Sequence, residues 1–213
     1  MEVRQLPRGR HHLTRAEVTA SQRGRMLQAM AEAVRDKGFT GTAVADVVAG
    51  AGVSRETFYQ HFVDKEDCFL AAYDMAVVTM REAIAGALAG VPADPLARFD
   101  RALRAYLDLL SAEGAVARVL LVDVYAAGPR ALRRGRKVKD DFVELIARIF
   151  SPATPADRFP CEALVAATSS MVTEHVAAGE FDALPGLRPP LVQLARRLRL
   201  SPGARRRAGA SSG

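Results

Sequence analysis

An all-α fold follows from three features of the sequence. Apolar residues recur at helical spacing along most of the chain, no segment sustains apolar–polar alternation between turn signals, and Gly, Pro, Ser and Asp separate the periodic stretches. The chain has 213 residues, 49% of them hydrophobic, enough for one large core or two modest ones. No internal repeat is evident.

In chain order, the first element is predicted from Leu27, Met30, Ala31 and Val34, an i, i+3, i+4, i+7 stripe with Ser21 as N-cap and Gly38 as stop. Thr42 precedes a short apolar set, Val44, Val47 and Val48, that ends at Gly50 or Gly52. Ser54 then caps a second short run bearing Phe58 and Phe62. A long helix is expected from about Asp64 to Leu88, with Leu70, Tyr73, Val77, Met80, Ile84 and Leu88 on its stripe and Gly90 and Pro92 behind it. Further helices are expected at about 95–111, 115–126, 130–150, 160–178 and 189–200. The last thirteen residues, SPGARRRAGASSG, hold no apolar residue large enough to anchor them and are expected to be disordered.

No run approaches the roughly 20 apolar residues needed to span a bilayer, and the N-terminus MEVRQLPRGRHHLTR lacks the apolar core of a secretory signal. A soluble, cytoplasmic protein without membrane contact is expected. Cys68 and Cys161 lie far apart with no Cys-x-x-Cys, which favours reduced thiols over a bridge. Only four of the 30 basic residues are Lys, and Trp and Asn are absent, a bias that fits a GC-rich bacterial genome.

The charge is unevenly placed. Residues 1–25 carry a net +4, residues 188–213 a net +7, and the intervening body a net −5. Basic ends on an acidic body fit a protein that touches a polyanion at defined places. They fit equally a protein with solubilising Arg-rich tails.

The stretch AGVSRETFYQHFVDK, residues 51–65, carries the chemistry. With Phe58 turned inward on a helix, Phe62 falls on nearly the same side and the two rings join Val47, Val48 and Val53 in a small core. Glu56 and Gln60 then project outward with Thr57 and Tyr59 on the flanks. Gly52 suits a turn with positive φ, and Ser54 can accept from the free N–H groups of the next helix. Helix, tight turn and capped helix make a helix-turn-helix, whose second helix fits the major groove of DNA and meets base edges with its N-terminal side chains. Tyr59 and His61 carry a polar atom at the tip of a ring and suit phosphate contacts.

The segment TGTAVADVVAGAGVSRETFYQHFVDKEDCFLAAYD resembles the DNA-binding region of the tetracycline-repressor (TetR) family of bacterial transcriptional regulators. The resemblance spans about residues 21–74 and rests on Gly52-Val53-Ser54, Tyr59, His61-Phe62 and Lys65 at the family spacing. It implies that Thr42 caps the first helix of the motif and bonds a phosphate, as Ser54 does for the second. It assigns Arg55, Glu56 and Gln60 to base reading, Thr57 to a mixed role, and Tyr59, His61 and Lys65 to the DNA backbone. A phosphate partner would account for Lys65, a cation at the unfavourable end of a helix dipole. Glu56 admits two readings, acceptance from cytosine N4 or a helix-start carboxylate favoured by the dipole. The chain departs from the family pattern at Ala43 and Ala45, which leave fewer backbone contacts from that helix, and at Val48 in place of a small residue.

The domain organisation expected is a basic N-terminal arm at 1–20, a helix-turn-helix domain at 21–66, a regulatory domain at 67–200 and a basic tail at 201–213. The arm either reaches the minor groove or is untethered. RRGRKVK, residues 133–139, reads as a solvated helix face. By family analogy the regulatory domain holds an apolar effector pocket, and the last two helices pair with those of a second copy. The band Leu164, Val165, Thr168, Met171, Val172, His175 and Val176, broken by small residues, fits such pairing and fits an intrachain core as well. Inward stripes nominate Met75, Thr79, Tyr106, Leu110, Leu121, Tyr125, Phe142, Met171, Glu174 and His175 for the pocket; residues of these types at such spacing also serve as plain core.

A two-fold dimer spans half-sites roughly 34 Å apart, so the partners expected are a palindromic double-stranded operator, an effector and a second copy. Catalysis is not expected. The sequence has no His-Glu-x-x-His, Gly-x-Ser-x-Gly, P-loop or metal-spaced Cys/His cluster, and the neighbours Glu174 and His175 point about 100° apart. No cofactor is implied. The competing class is a helical interaction or small-molecule-binding module that has lost DNA binding.

Overall fold

The computed structural model describes residues 15–91, 94–152 and 154–198. The segments 1–14 and 199–213, with most of the expected arm and all of the expected tail, lie outside the described residues. Those residues form helices α1 (Arg15–Gly41), α2 (Val44–Ala51), α3 (Arg55–His61), α4 (Lys65–Leu88), α5 (Pro95–Ala112), α6 (Gly114–Leu121), α7 (Pro129–Phe150), α8 (Phe159–Ala178) and α9 (Arg188–Arg197), with no strand among them. Three 3-10 turns join them, at Asp123–Tyr125, Pro155–Arg158 and Phe181–Leu187.

Gly38 breaks the run of α1, with φ 69° and ψ 164°, as its place after the apolar stripe predicts. Ser21 is not the N-cap: the helix begins at Arg15, because Ala16, Ala20 and Gln22 continue it and Ser is tolerated inside a helix when its neighbours propagate the turn. Thr42 is not the cap of α2 either. That position belongs to Ala43, whose N–H donates to the Asp46 carboxylate at 2.8 Å.

Ser54 caps α3 as expected, its hydroxyl accepting the Thr57 N–H at 3.0 Å. Gly52 occupies the left-handed region at φ 62° and ends α2. Asp64 caps α4 by accepting from Asp67 N–H, while Asp67 accepts from Val63 N–H, so donors at the helix entry are satisfied reciprocally.

Met26, Met30, Val34, Val47, Phe58, Phe62 and Phe69 are buried in a core that continues without a break through Tyr73, Met80 and Ile84 of α4 into the larger bundle. The ring of Phe181 lies 3.2 Å from where a Gly114 Cβ would stand, so a side chain there would displace it and the entry to α6. Arg188 makes a two-pronged ion pair with Asp100 that ties α9 to α5. Cys68 and Cys161 are both free and buried.

Candidate DNA-reading helix and effector cavity

On α3, Phe58 and Phe62 turn inward, and Arg55, Glu56, Tyr59 and Gln60 turn out. Tyr59 is 48% exposed although its large ring would lose water contact in any core. The Arg55 guanidinium lies over that ring at 5.6 Å and donates to the Tyr59 hydroxyl at 3.3 Å, which holds Arg55 along the outer face. Thr57 and His61 are half-buried on the flanks.

Two arginines of α1 join this surface. Arg23 lies over the Phe62 ring at 4.6 Å, and Arg25 Nη1 approaches the Gly52 turn. The nitrogen Nε of Arg25 is buried with no hydrogen-bond partner. Sequence reasoning passed over both because they precede the apolar stripe; their i, i+2 spacing in SQRGR was the signal. Burial, then the charge of Arg23, lowers the His61 pKa below its ordinary value.

Thr42 and Lys65 are occupied differently from the roles the resemblance implies. Thr42 is 2% exposed and its hydroxyl donates to the Gly38 carbonyl at 2.8 Å, so it is turned into the protein. The Lys65 ammonium donates to the carbonyls of Phe39 and Thr42, each at 2.9 Å, and sits over the Phe39 ring at 4.3 Å. The end of α1, with orphan carbonyls, explains a cation at the start of α4 without any phosphate. Lys65→Met should therefore cost about 1–2 kcal/mol of folding stability for two partly exposed charge-assisted bonds. A denaturant titration reading no loss, together with weaker binding to all DNA, would restore a phosphate role.

The second feature is a cavity of about 360 Å³ enclosed by α4, α5, α6, α7 and α8. Its apolar walls include Tyr73, Met80 and Ile84 of α4, Phe99, Leu103 and Tyr106 of α5, Leu120 and Leu121 of α6, and Phe142 of α7. Val124 and Tyr125 of the 3-10 turn line it too, and Arg136, Lys139, Thr168 and Ser169 add polar groups. Of the sequence nominees, Tyr106, Leu121, Tyr125 and Phe142 line it.

The other nominees lie elsewhere. Met75 and Thr79 are exposed, because the inward face of α4 is set by residues 73, 80 and 84, and 75 and 79 lie on the opposite side of the helix. Leu110 is fully buried in solid core. Met171 and Glu174 are exposed, and His175 Nδ1 pairs with the Glu180 carboxylate at 2.7 Å just beyond the Gly179 cap. On α8 the cavity face is instead Leu164, Val165, Thr168 and Ser169.

One buried carboxylate links the two features. Asp123, 3% exposed, accepts the Phe39 N–H at 2.8 Å and faces Arg118 Nε at 3.3 Å. Its neighbours Val124 and Tyr125 line the cavity, so one short turn touches both the cavity and the end of α1.

Among the described residues, no helix is long and apolar enough to cross a membrane, and no group of three His, Cys, Asp or Glu is placed to hold a metal ion.

Comparison with known proteins matches residues 27–72 to the family described as bacterial regulatory proteins, tetR family. The chain is 27% identical over 199 residues to the HTH-type transcriptional regulator EthR of Mycolicibacterium smegmatis, covering 87% of this chain and 86% of that protein. Among solved structures, a TetR-like transcriptional regulator from Rhodococcus sp. RHA1 superposes with a TM-score of 0.68 at 27% identity, covering 87% of this chain and 97% of that one. The regulator FadR from Bacillus subtilis, solved with stearoyl-CoA, gives a TM-score of 0.68 at 15% identity over 80% of this chain and 96% of that one, a likeness of fold alone.

Proposed function

We propose, from the premise that this chain belongs to the TetR family of bacterial regulatory proteins, that it is a ligand-released repressor binding a palindromic operator as a homodimer. The single observation that carries the DNA half of this reading is the outward set Arg55, Tyr59 and Gln60 on a helix pinned from behind by Phe58 and Phe62. Arg55, Glu56 and Gln60 read bases, and Tyr59, His61, Ser54 and Thr57 meet the backbone. A domain division at about residue 66 falls at the start of α4, with the reading head before it and α4 itself part of the regulatory body.

The dimer reading draws on α8, whose exposed side sets Phe159, Ala166, Met171 and Ala177 among the polar Glu162, Ser170 and Glu174. Small residues there allow close approach of a second copy through α8 and α9.

Release follows from population shift. A ligand between α4 and α8 that displaces Val124 or Tyr125 also displaces Asp123 and hence the end of α1, which changes the pose of the head. The coupling expected is about 1–3 kcal/mol. The FadR of Bacillus subtilis, similar in fold and solved with stearoyl-CoA, lends the ligand half support.

Selection of bound DNA from a random pool tests the operator. Tyr59→Phe should weaken binding to every sequence by a similar factor, whereas Gln60→Ala should relax preference at one base pair and cost about 1–3 kcal/mol there. Binding that does not weaken as salt rises would point to the competing interaction module, because neutralising phosphates releases counterions.

A pH series isolates His61. Its lowered pKa keeps the ring neutral near pH 7 in the free protein, and a phosphate against it would raise the pKa, so binding takes up a proton. Operator affinity should rise as pH falls below 7, by up to about tenfold per unit for each His61 of the dimer, and His61→Gln should flatten that slope. Folding stability moves the other way, since the unfolded chain accepts the proton first as pH falls through the ordinary His value. An unaltered slope in the variant removes His61 from the interface.

A further inference from the structure

We infer that the cavity between α4 and α8 takes an apolar-bodied organic anion, its body in the interior, an acceptor oxygen at Tyr73 and Tyr106 and its negative charge at Arg136 and Lys139. This rests on the reading above that the cavity receives a small molecule, and it names the chemistry that molecule must carry.

The size comes first. At about 30 Å³ for each water-sized atom, a cavity of about 360 Å³ holds about a dozen non-hydrogen atoms. The walls are mostly apolar, so most of those atoms must be carbon.

The phenols supply the second constraint. Tyr73, 1% exposed, and Tyr106 both line the cavity, and neither hydroxyl has a hydrogen-bond partner among the described residues. A buried tyrosine ordinarily finds a partner for its O–H. Burial pushes the Tyr73 pKa up to about 12 and raises that of Tyr106, so both remain donors at any physiological pH. Two donors without partners face the space in which a ligand would sit, and an acceptor oxygen satisfies them.

Charge supplies the third. On α7, Arg130 faces Glu66 and Asp67, Arg134 pairs with Asp74, and Lys137 pairs with Asp141. Arg136 and Lys139, the two cations that line the cavity, have no acidic partner among the described residues. No Asp or Glu lines the cavity to offset them. Gly135 brings α7 against Tyr73, whose hydroxyl lies 3.8 Å from where a Gly135 Cβ would stand, so the phenol lies beside the stretch of α7 that carries Arg136.

The test titrates the full chain by calorimetry with decanoate, 1-decanol and decyltrimethylammonium, which share one apolar body and differ in charge. Decanoate should bind at least about tenfold tighter than decanol, with the cation weakest, and its advantage should shrink as salt rises. Arg136→Gln with Lys139→Gln, both exposed, should weaken decanoate about tenfold and leave decanol within about twofold. The shape-preserving Tyr73→Phe and Tyr106→Phe should each weaken decanoate about threefold or more. Equal affinity for decanoate and decanol, no effect of the double substitution on decanoate, or no binding of decanoate would each overturn the inference. Operator release separates the two claims. Decanoate that binds as stated without altering operator affinity sinks the effector reading alone, and decanol that binds and releases DNA as well as decanoate does sinks the anion alone.

Discussion

Phe58→Ala should abolish operator binding while the cavity half of the chain stays folded. Phe58 is wholly buried, with its ring 5.4 Å from that of Tyr59 and 5.5 Å from that of Phe62. Truncating a buried Phe costs about 3–5 kcal/mol through lost transfer energy and the void left behind. Helix α3 has seven residues and cannot persist without packing, since isolated helices of that length do not form in water. Hydrogen exchange should show α2 and α3 losing protection while α5 to α8 keep theirs, with operator affinity reduced more than a hundredfold. Phe58→Leu, which keeps most of the volume, should restore binding to within about tenfold. Operator affinity in Phe58→Ala within tenfold of the parent would mean that α3 is not positioned by this core.

Asp123→Ala carries the next largest effect. It removes the acceptor of the Phe39 N–H and the anion facing Arg118, both inside the protein, at a cost of about 3 kcal/mol. Its value as a test lies in what it separates. If the turn Asp123–Tyr125 transmits cavity occupancy to the head, a cavity ligand should still raise the melting temperature of the variant, yet its effect on operator affinity should shrink toward nothing. Asp123→Asn keeps an oxygen for Phe39 and should retain most of the coupling. A variant whose DNA release by ligand equals that of the parent would exclude this turn as the link.

The helix-turn-helix was legible because its signals are local. Phe58 and Phe62 one turn apart, Gly52 in a turn that needs positive φ, and Ser54 one residue before the helix each act within a few positions of the chain. The same holds for Asp64 before α4, whose capping bond closes over three residues. The outward placement of Arg55, Tyr59 and Gln60 follows from those anchors and the helical period alone.

The partners of Lys65 and Thr42 were not legible, for the opposite reason. The partners of Lys65, the carbonyls of Phe39 and Thr42, lie 26 and 23 residues away, and no spacing rule reaches that far. Asp123, 84 residues from the N–H it holds, carried no motif at all. The 3-10 segment Phe181–Leu187 was hidden because Pro185 and Gly186 disfavour helix, and burial of Leu184 and Leu187 holds it in place.

By itself, then, the sequence determined the helices, their order, and which side chains α3 presents to solvent, since capping, turn chemistry and periodicity are properties of adjacent residues. Only the tertiary structure decided that Tyr73, not Met75 or Thr79, faces the cavity, that Arg136 and Lys139 stand at it without acidic partners, and that Asp123 ties it to the end of α1. Those outcomes depend on how each helix is rotated against neighbours distant in the chain, a rotation set by packing the whole core at once.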